Sequence, residues 1–353
     1  MRKLKLKGFS AVVPTFAVTF AIMILVRPQS ALEGVRSGLN MSAGVIVPSM
    51  FPFLVVSSFV SGASVFKGFN KVLQPVMKWL FRLPAEAFSA ILFGLTGGFP
   101  VGCSVTARLL EQGKIDREQA QRLTLFCINA GPAFAVTAVG TVMLGSTRAG
   151  VILYLSVCIS SLITGFALGL VAPFPTQSSA QIKADLPALH LLVDATERSA
   201  MAIIRVCAWV TLFSCGFSLL DSFGLNEKFL VGLRCITEVT GGCRAAADSG
   251  NIFVVAATLG WSGLCVICQV FGDVRKAGTP VFVLLAFKAF HAGLSAVVCC
   301  CLVKLFPVEA SVFSSFTGKM GGELFSASAP ATVALLCLCV VFVIDLARNK
   351  KLC

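Results

Sequence analysis

The sequence predicts an all-α polytopic membrane protein, with about eight full transmembrane helices plus two re-entrant broken hairpins in an inverted-topology repeat. Three observations lead there. Of the 353 residues 57% are hydrophobic and 13% charged, a balance foreign to soluble domains of this size. The apolar residues gather in stretches of roughly 20, the length that a hydrocarbon core about 30 Å thick demands of a helix. One kind of apolar segment, broken in its middle by glycine or proline, occurs twice.

The first broken segment runs over 85–110 and holds Gly94, Gly97, Gly98, Pro100 and Gly102; the second runs over 229–250. Each carries a Thr and a Gly pair at the break, Thr96-Gly97-Gly98 and Thr240-Gly241-Gly242. Lipid cannot satisfy the backbone groups that such a break frees, so it must be buried in protein or line a wet cavity. Paired broken segments in the two halves of a chain point to a binding site near the bilayer midplane.

In chain order, complete spans are expected near 9–26, 41–61, 122–145, 148–172, 199–222, 251–271, 279–305 and 327–346. The first follows Arg2, Lys3, Lys5 and Lys7 like a signal peptide. Its apolar run is too long for one, and Arg27-Pro28 replaces a small-residue cleavage site, so a retained span is expected. Residues 67–82 alternate Lys67, Lys71, Lys78 and Arg82 with Val72, Leu73, Val76, Trp79, Leu80 and Phe81, the pattern of a helix lying in the interface.

The net charge of +13 is first a topology signal, because basic residues collect on the cytoplasmic side. Both flanks of 85–107 are basic, so that segment enters and returns as a re-entrant hairpin. Carried forward, the rule makes both termini and the linker 173–198 cytoplasmic, and the second hairpin enters from outside. Asp185, Asp194 and Glu197 in that linker run against the pattern. The chain then divides into a first span and connector (1–40), a first gate-like repeat (41–172), the linker (173–198), a second gate-like repeat (199–306), and a last span with a basic tail (307–353).

Several side chains stand out within the apolar segments. Asn129 and Pro132 fall inside 122–145, where proline frees carbonyls around residues 126–128; a plain kink is the alternative. Leu259-Gly260-Trp261-Ser262-Gly263 and Gln269 offer a small-residue helix contact and an aromatic wall. Glu238 is the acid at the second break, with Arg234 and Arg244 nearby. It reads as a substrate or ion contact, or as half of a structural ion pair. Lys288 and His291 share a helix face deep in 279–305, and His291 is suited to proton relay. Arg205 stands close enough to a span end to snorkel. Basic groups outnumber acids across this inferred core, which favours a small polar or anionic solute. The substrate-binding candidates are therefore Thr96, Gly97, Gly98, Asn129, Pro132, Glu238, Thr240, Gly241, Gly242, Trp261, Gln269, Lys288 and His291.

The fifteen cysteines mostly sit in apolar runs, as in Cys299-Cys300-Cys301, and read as packing residues. Cys265 and Cys268 form one C-x-x-C without a second pair, so no metal is expected. No cofactor is expected either. P-loop, G-x-S-x-G and HExxH motifs are absent from the sequence, and the chain is not expected to be an enzyme. Its expected partners are the lipid bilayer, an unidentified small solute and, in a homo-oligomer, its own copies; nucleic acid is not among them.

The stretch GLTGGFPVGCSVTARLLEQGKIDREQAQRLTLFCINAGPAF (94–134) resembles the first gate domain of the nucleoside transporter/FeoB GTPase gate superfamily. With ITEVTGG (236–242), LGWSGLCVICQV (259–270) and the Lys288…His291 pair, the chain is similar to the YlbJ-type sporulation integral membrane proteins. That resemblance implies a role in spore formation, at the cortex-building stage, for a transporter- or permease-like protein of the cell membrane. The competing reading is a non-transporting membrane scaffold that recruits spore-envelope machinery. Broken hairpins and buried charges favour transport, since a scaffold needs neither.

Overall fold

The computed structural model describes residues 2–62, 70–174 and 188–307. The expected span 327–346, the basic tail, residues 63–69 and the linker segment 175–187 lie outside them. The described chain is helical and contains no strand. Helices α1 (Arg2–Val26), α2 (Pro28–Met41) and α3 (Val47–Gly62) come first, α2 and α3 joined by a wider π turn over Ser42–Ile46. A short α4 (Asn70–Val76) follows, then α5 (Phe88–Thr96), α6 (Phe99–Glu111) and α7 (Arg117–Phe126). A π-helical stretch, Ala133–Met143, leads to α8 (Thr147–Val171) and α9 (Ala188–Asp221). The rest comprises α10 (Glu227–Thr237), α11 (Val239–Asp248), α12 (Ile252–Trp261), α13 (Gly263–Ala277) and α14 (Val281–Leu305).

Among the described residues, four helical stretches are long and apolar enough to cross a membrane: α8, α9, the α12–α13 pair and α14. A fifth arises if α1 and α2, bent by 107° at Arg27, are taken as one span. This is fewer than the eight complete spans expected, for three reasons. The last one lies outside the described residues. The stretch 122–145 is not continuous: α7 stops at Phe126, residues 127–131 are unwound, and helix resumes at Pro132. The connector 27–40 is itself helix and runs on through the π turn into α3, so the expected start at 41 has no counterpart. The span 251–271 also contains a break, at Ser262, whose φ of 75° no helix tolerates.

Helix α9 has 34 residues, about 51 Å at 1.5 Å per residue, and outruns the hydrocarbon layer. Its first three turns belong to what the sequence suggests is a linker. There Asp194 meets Arg108 at 3.1 Å and Arg198 at 2.8 Å. Asp194, one of the three acids that run against the charge pattern, is thus neutralised locally. The interfacial segment keeps the expected character over 70–81: Val72 and Trp79 are exposed, while Met77 and Phe81 are buried.

The helices gather into two groups. One is α2, α3 and α9, where Gly34 brings α2 against the backbone of Ser214 and Cys215. The other surrounds a core of Phe99, Leu153, Val157, Val255, Leu259, Val266 and Leu284. That second core joins α6, α8, α12, α13 and α14, and every helix break described below borders it.

Candidate functional site

Each interruption turns on a residue whose backbone leaves the helical region. Between α5 and α6 the chain turns at Gly98, whose φ of 89° suits glycine alone. Proline at the first turn of α6 then restarts the helix without wanting an amide partner. Between α10 and α11 the turn is made by Glu238 in extended conformation. Between α12 and α13 Ser262 and Gly263 are both left-handed, with φ of 75° and 83°. A serine there carries strain of order 1–2 kcal/mol.

The breaks meet in pairs. Gly131, in the unwound stretch after α7, lies against the first hairpin turn: a Cβ there would stand 2.9 Å from the Gly98 nitrogen and 3.2 Å from the Thr96 carbonyl. Gly263 does the same at the second hairpin, with a Cβ 3.0 Å from the Val239 nitrogen and 3.1 Å from the Thr237 carbonyl. Thr96, Gly97, Gly98, Asn129 and Pro132 thus form one junction. Glu238, Thr240, Gly241, Gly242 and Trp261 form the other, where the Trp261 indole donates to the Ile236 carbonyl at 2.6 Å.

Helix α14 runs between the two junctions and carries the buried polar pair. Lys288 and His291 are 1% and 2% exposed. The Lys288 ammonium donates to the Ile128 carbonyl at 2.8 Å. This is the carbonyl whose helical donor would be the amide of residue 132, which Pro132 lacks. His291 Nδ1 lies 3.1 Å from the Gly260 carbonyl, freed by the break at Ser262, and Nε2 lies 3.2 Å from the Val157 carbonyl of α8. Lys288 Nζ and His291 Nδ1 are 3.4 Å apart. One side-chain pair therefore closes carbonyls at both helix breaks.

Asn129 donates through Nδ2 to the Phe126 carbonyl at 2.8 Å and to Ser161 Oγ at 3.0 Å, and Ser161 donates to the same carbonyl. Its Oδ1 is buried without a hydrogen-bond partner, as is the hydroxyl of Ser295 on α14. These are the unfilled polar positions of the centre. Ser161 and Ser295 escape a reading of isolated motifs. The available signal is the spacing of Ser156, Ser160, Ser161 and Thr164 on one face of an apolar helix, and all four are buried.

Glu238 does not pair with Arg234 or Arg244. Its carboxylate caps α11, accepting the amides of Thr240 at 2.8 Å and of Gly241. Arg234 instead pairs with Asp221. Gln269 is buried but bonds only within its own helix, to Cys265 Sγ at 3.3 Å. The twelve described cysteines are unpaired thiols.

A second polar feature was not foreseen from the sequence. Where the ends of α6 and α13 meet α3 and α9 there is a cleft of about 240 Å³, lined by Ser57, Ser104, Arg108, Arg205, Asp273 and Lys276 among others. At its floor Ser104 donates to Asp273 at 3.0 Å. Arg108, 6% exposed, donates to Ser58 at 2.5 Å. Glu111 holds Lys276 at 2.9 Å and Arg198 at 3.0 Å. This chain of ion pairs ties α6 to α9 and α13.

Long apolar helices around a buried polar centre, two of them interrupted there, define a multi-pass helical membrane protein. The family model for Gate, nucleoside recognition, matches residues 43–147, which hold the first hairpin and the unwound stretch after α7. Over 333 residues, covering 80% of each chain, the protein is 24% identical to the sporulation integral membrane protein YlbJ of Bacillus subtilis (strain 168). The resemblance read from the motif blocks is thus borne out. No solved structure matches the chain.

Proposed function

We propose that this protein is a transporter-like membrane protein of sporulation, moving a small polar or anionic solute through the junction that Lys288 and His291 close. One observation carries the reading: two broken helices face two broken hairpins, and a buried basic pair on α14 satisfies a carbonyl at each break. Ionisable groups deep in a membrane protein are expensive, roughly 2.5–3.5 kcal/mol at the centre of a span, and mark function more often than stability. The unfilled Asn129 Oδ1 and Ser295 hydroxyl supply an acceptor and a donor for a solute.

The element order supports an inverted-topology repeat. Helix α3, hairpin α5–α6, the broken α7 stretch and α8 match, in order, α9, hairpin α10–α11, the broken α12–α13 and α14. The positive-inside rule then sets both termini in the cytoplasm and the charged cleft on the cytoplasmic face, where the solute approaches. The sporulation setting rests on likeness to the Bacillus subtilis relative; the cortex-building stage rests only on the family resemblance of the motif blocks, and neither comes from the geometry.

The scaffold reading also has an observation in its favour: the carbonyls of Phe126, Ile128 and Gly260 are met by side chains of the chain itself. The experiment separates the two. A deletion strain should yield few heat-resistant spores, and Asn129→Leu at normal abundance should reproduce that loss if transport is the function. Normal sporulation by Asn129→Leu, with the deletion still defective, would leave the scaffold. Heat-resistant spores from the deletion would remove the sporulation role.

A further inference from the structure

Three backbone carbonyls converge on one pair of basic side chains in this protein, and none of the hydrogen bonds to either side chain comes from a carboxylate among the described residues. Ile128, Gly260 and Val157 present their oxygens at 2.8, 3.1 and 3.2 Å to Lys288 Nζ, His291 Nδ1 and His291 Nε2. Two of the three, Ile128 and Gly260, lie at helix breaks, and Val157 lies within the unbroken α8; carbonyls of unwound helix are among the groups with which membrane transporters hold a monovalent cation.

From the helix breaks and the proton count, we propose that this centre is a monovalent-cation site which the chain fills with its own ammonium group, Lys288. It follows, resting on the transport reading above, that solute movement is coupled to a proton and needs no sodium.

Proton accounting supports the first half. A neutral imidazole has one N–H and one lone pair, yet both ring nitrogens of His291 face carbonyl oxygens, which only accept. Both contacts are favourable only when His291 is an imidazolium. Nδ1 also faces Lys288, so two full charges would then stand 3.4 Å apart. The pair therefore holds a single positive charge: Lys288 is protonated, donating to the Ile128 carbonyl and facing Nδ1, beside a neutral His291 whose Nε2–H donates to the Val157 carbonyl. That one charge, ringed by three carbonyl dipoles, is what a bound cation would be.

The step that couples is balanced and simple. The pair loses one proton to a water of the open pathway, leaving neutral amine and neutral imidazole, and regains it from water on the other face. Without the charge, the grip of α14 on the Ile128 and Gly260 carbonyls weakens, and both breaks are released together. The titratable group facing Lys288 from α6 is the buried Cys103 thiol. Asp273 of α13 lines the cleft, where Ser104 donates to it at 3.0 Å.

The test uses the purified full-length protein and thermal unfolding, with equal concentrations of sodium, potassium or choline chloride. Wild type should melt at the same temperature in all three. Lys288→Ala should melt lower. Methylammonium should restore it saturably, by roughly 2–4 °C, because a free ammonium can enter the emptied site. Lys288→Met, which fills that space, should gain nothing. A saturable sodium-specific stabilisation of wild type would overturn the proposal, and so would indifference of Lys288→Ala to methylammonium. If Lys288→Ala does not accumulate, the wild-type comparison decides alone. These measurements read binding, so their failure leaves the transport reading standing, and that reading fails separately in the spore assay.

Discussion

Lys288 donates to the carbonyl of Ile128 at 2.8 Å across 160 residues of sequence. Pro132 deprives that carbonyl of its ordinary helical donor, and a side chain from α14 replaces it. The unwound stretch after α7 is thus held open by local chemistry and kept satisfied by tertiary chemistry. An unpartnered buried carbonyl would cost roughly 1–3 kcal/mol, so the lysine stabilises the break it also exploits.

Lys288→Met should therefore destabilise the protein by about 1–3 kcal/mol while leaving the membrane-inserted chain detectable. Pulse proteolysis in detergent measures the loss, and cell fractionation measures insertion. A variant as stable as wild type would show that the Ile128 carbonyl finds another donor.

Glu238 separates capping from solute contact. Its carboxylate accepts two amides at the start of α11. Glu238→Gln keeps one acceptor and should cost about 1 kcal/mol, and Glu238→Asp should cost less. If the role is capping alone, sporulation should follow melting temperature across Gln, Asp and Ala. A Gln variant that melts normally but fails to sporulate would assign Glu238 to the solute instead.

Gly102 is a sharp steric test of the first junction. A Cβ there would lie 2.0 Å from the Cys127 carbonyl oxygen and 2.8 Å from the Gly94 Cα. No side-chain rearrangement relieves a backbone clash. Gly102→Ala should cost at least about 1–3 kcal/mol and lower the amount of protein in the membrane. Gly232→Ala, which meets nothing within 4 Å, is the control and should leave abundance unchanged.

Acid stability should report the ion-pair chain beside the cleft. Burial raises the Glu111 carboxyl, and hydrogen bonds from Lys276 and Arg198 more than reverse this, so it titrates below its ordinary value. A depressed folded-state value means stabilisation that is present above the unfolded value, about 4.3, and lost as pH falls through the folded one. Wild type should lose melting temperature on acidification below about pH 4.3. Glu111→Gln should lose less over that interval while starting lower at neutral pH. Parallel curves for the two would mean that the pairs contribute nothing.

Single cysteines at Asn226 and Arg275, in a background free of native cysteines, should label from opposite sides of the membrane. Asn226 caps α10, and Arg275 lies near the end of α13. Labelling from the same side would remove the inverted repeat.

The sequence by itself determined the class of this protein and the places where its helices fail. Apolar runs of bilayer length, glycine at the first hairpin, and Pro132 after α7 act through local backbone chemistry and hydropathy, so they can be read without a fold. Lys288 and His291 were legible too, because ionisable residues deep in an apolar run are costly wherever they point. Tertiary structure alone decided what answers each break. Glu238 turned out to cap its own helix rather than meet an arginine, since either arrangement satisfies the same spacing. That Gly131 meets Gly98, that Ser161 shares a carbonyl with Asn129, and that α14 bridges both junctions depend on helices far apart in the chain. The charged cleft arises in the same way: Arg108, Asp194 and Lys276 belong to three helices, and their charges become a network only when those helix ends converge.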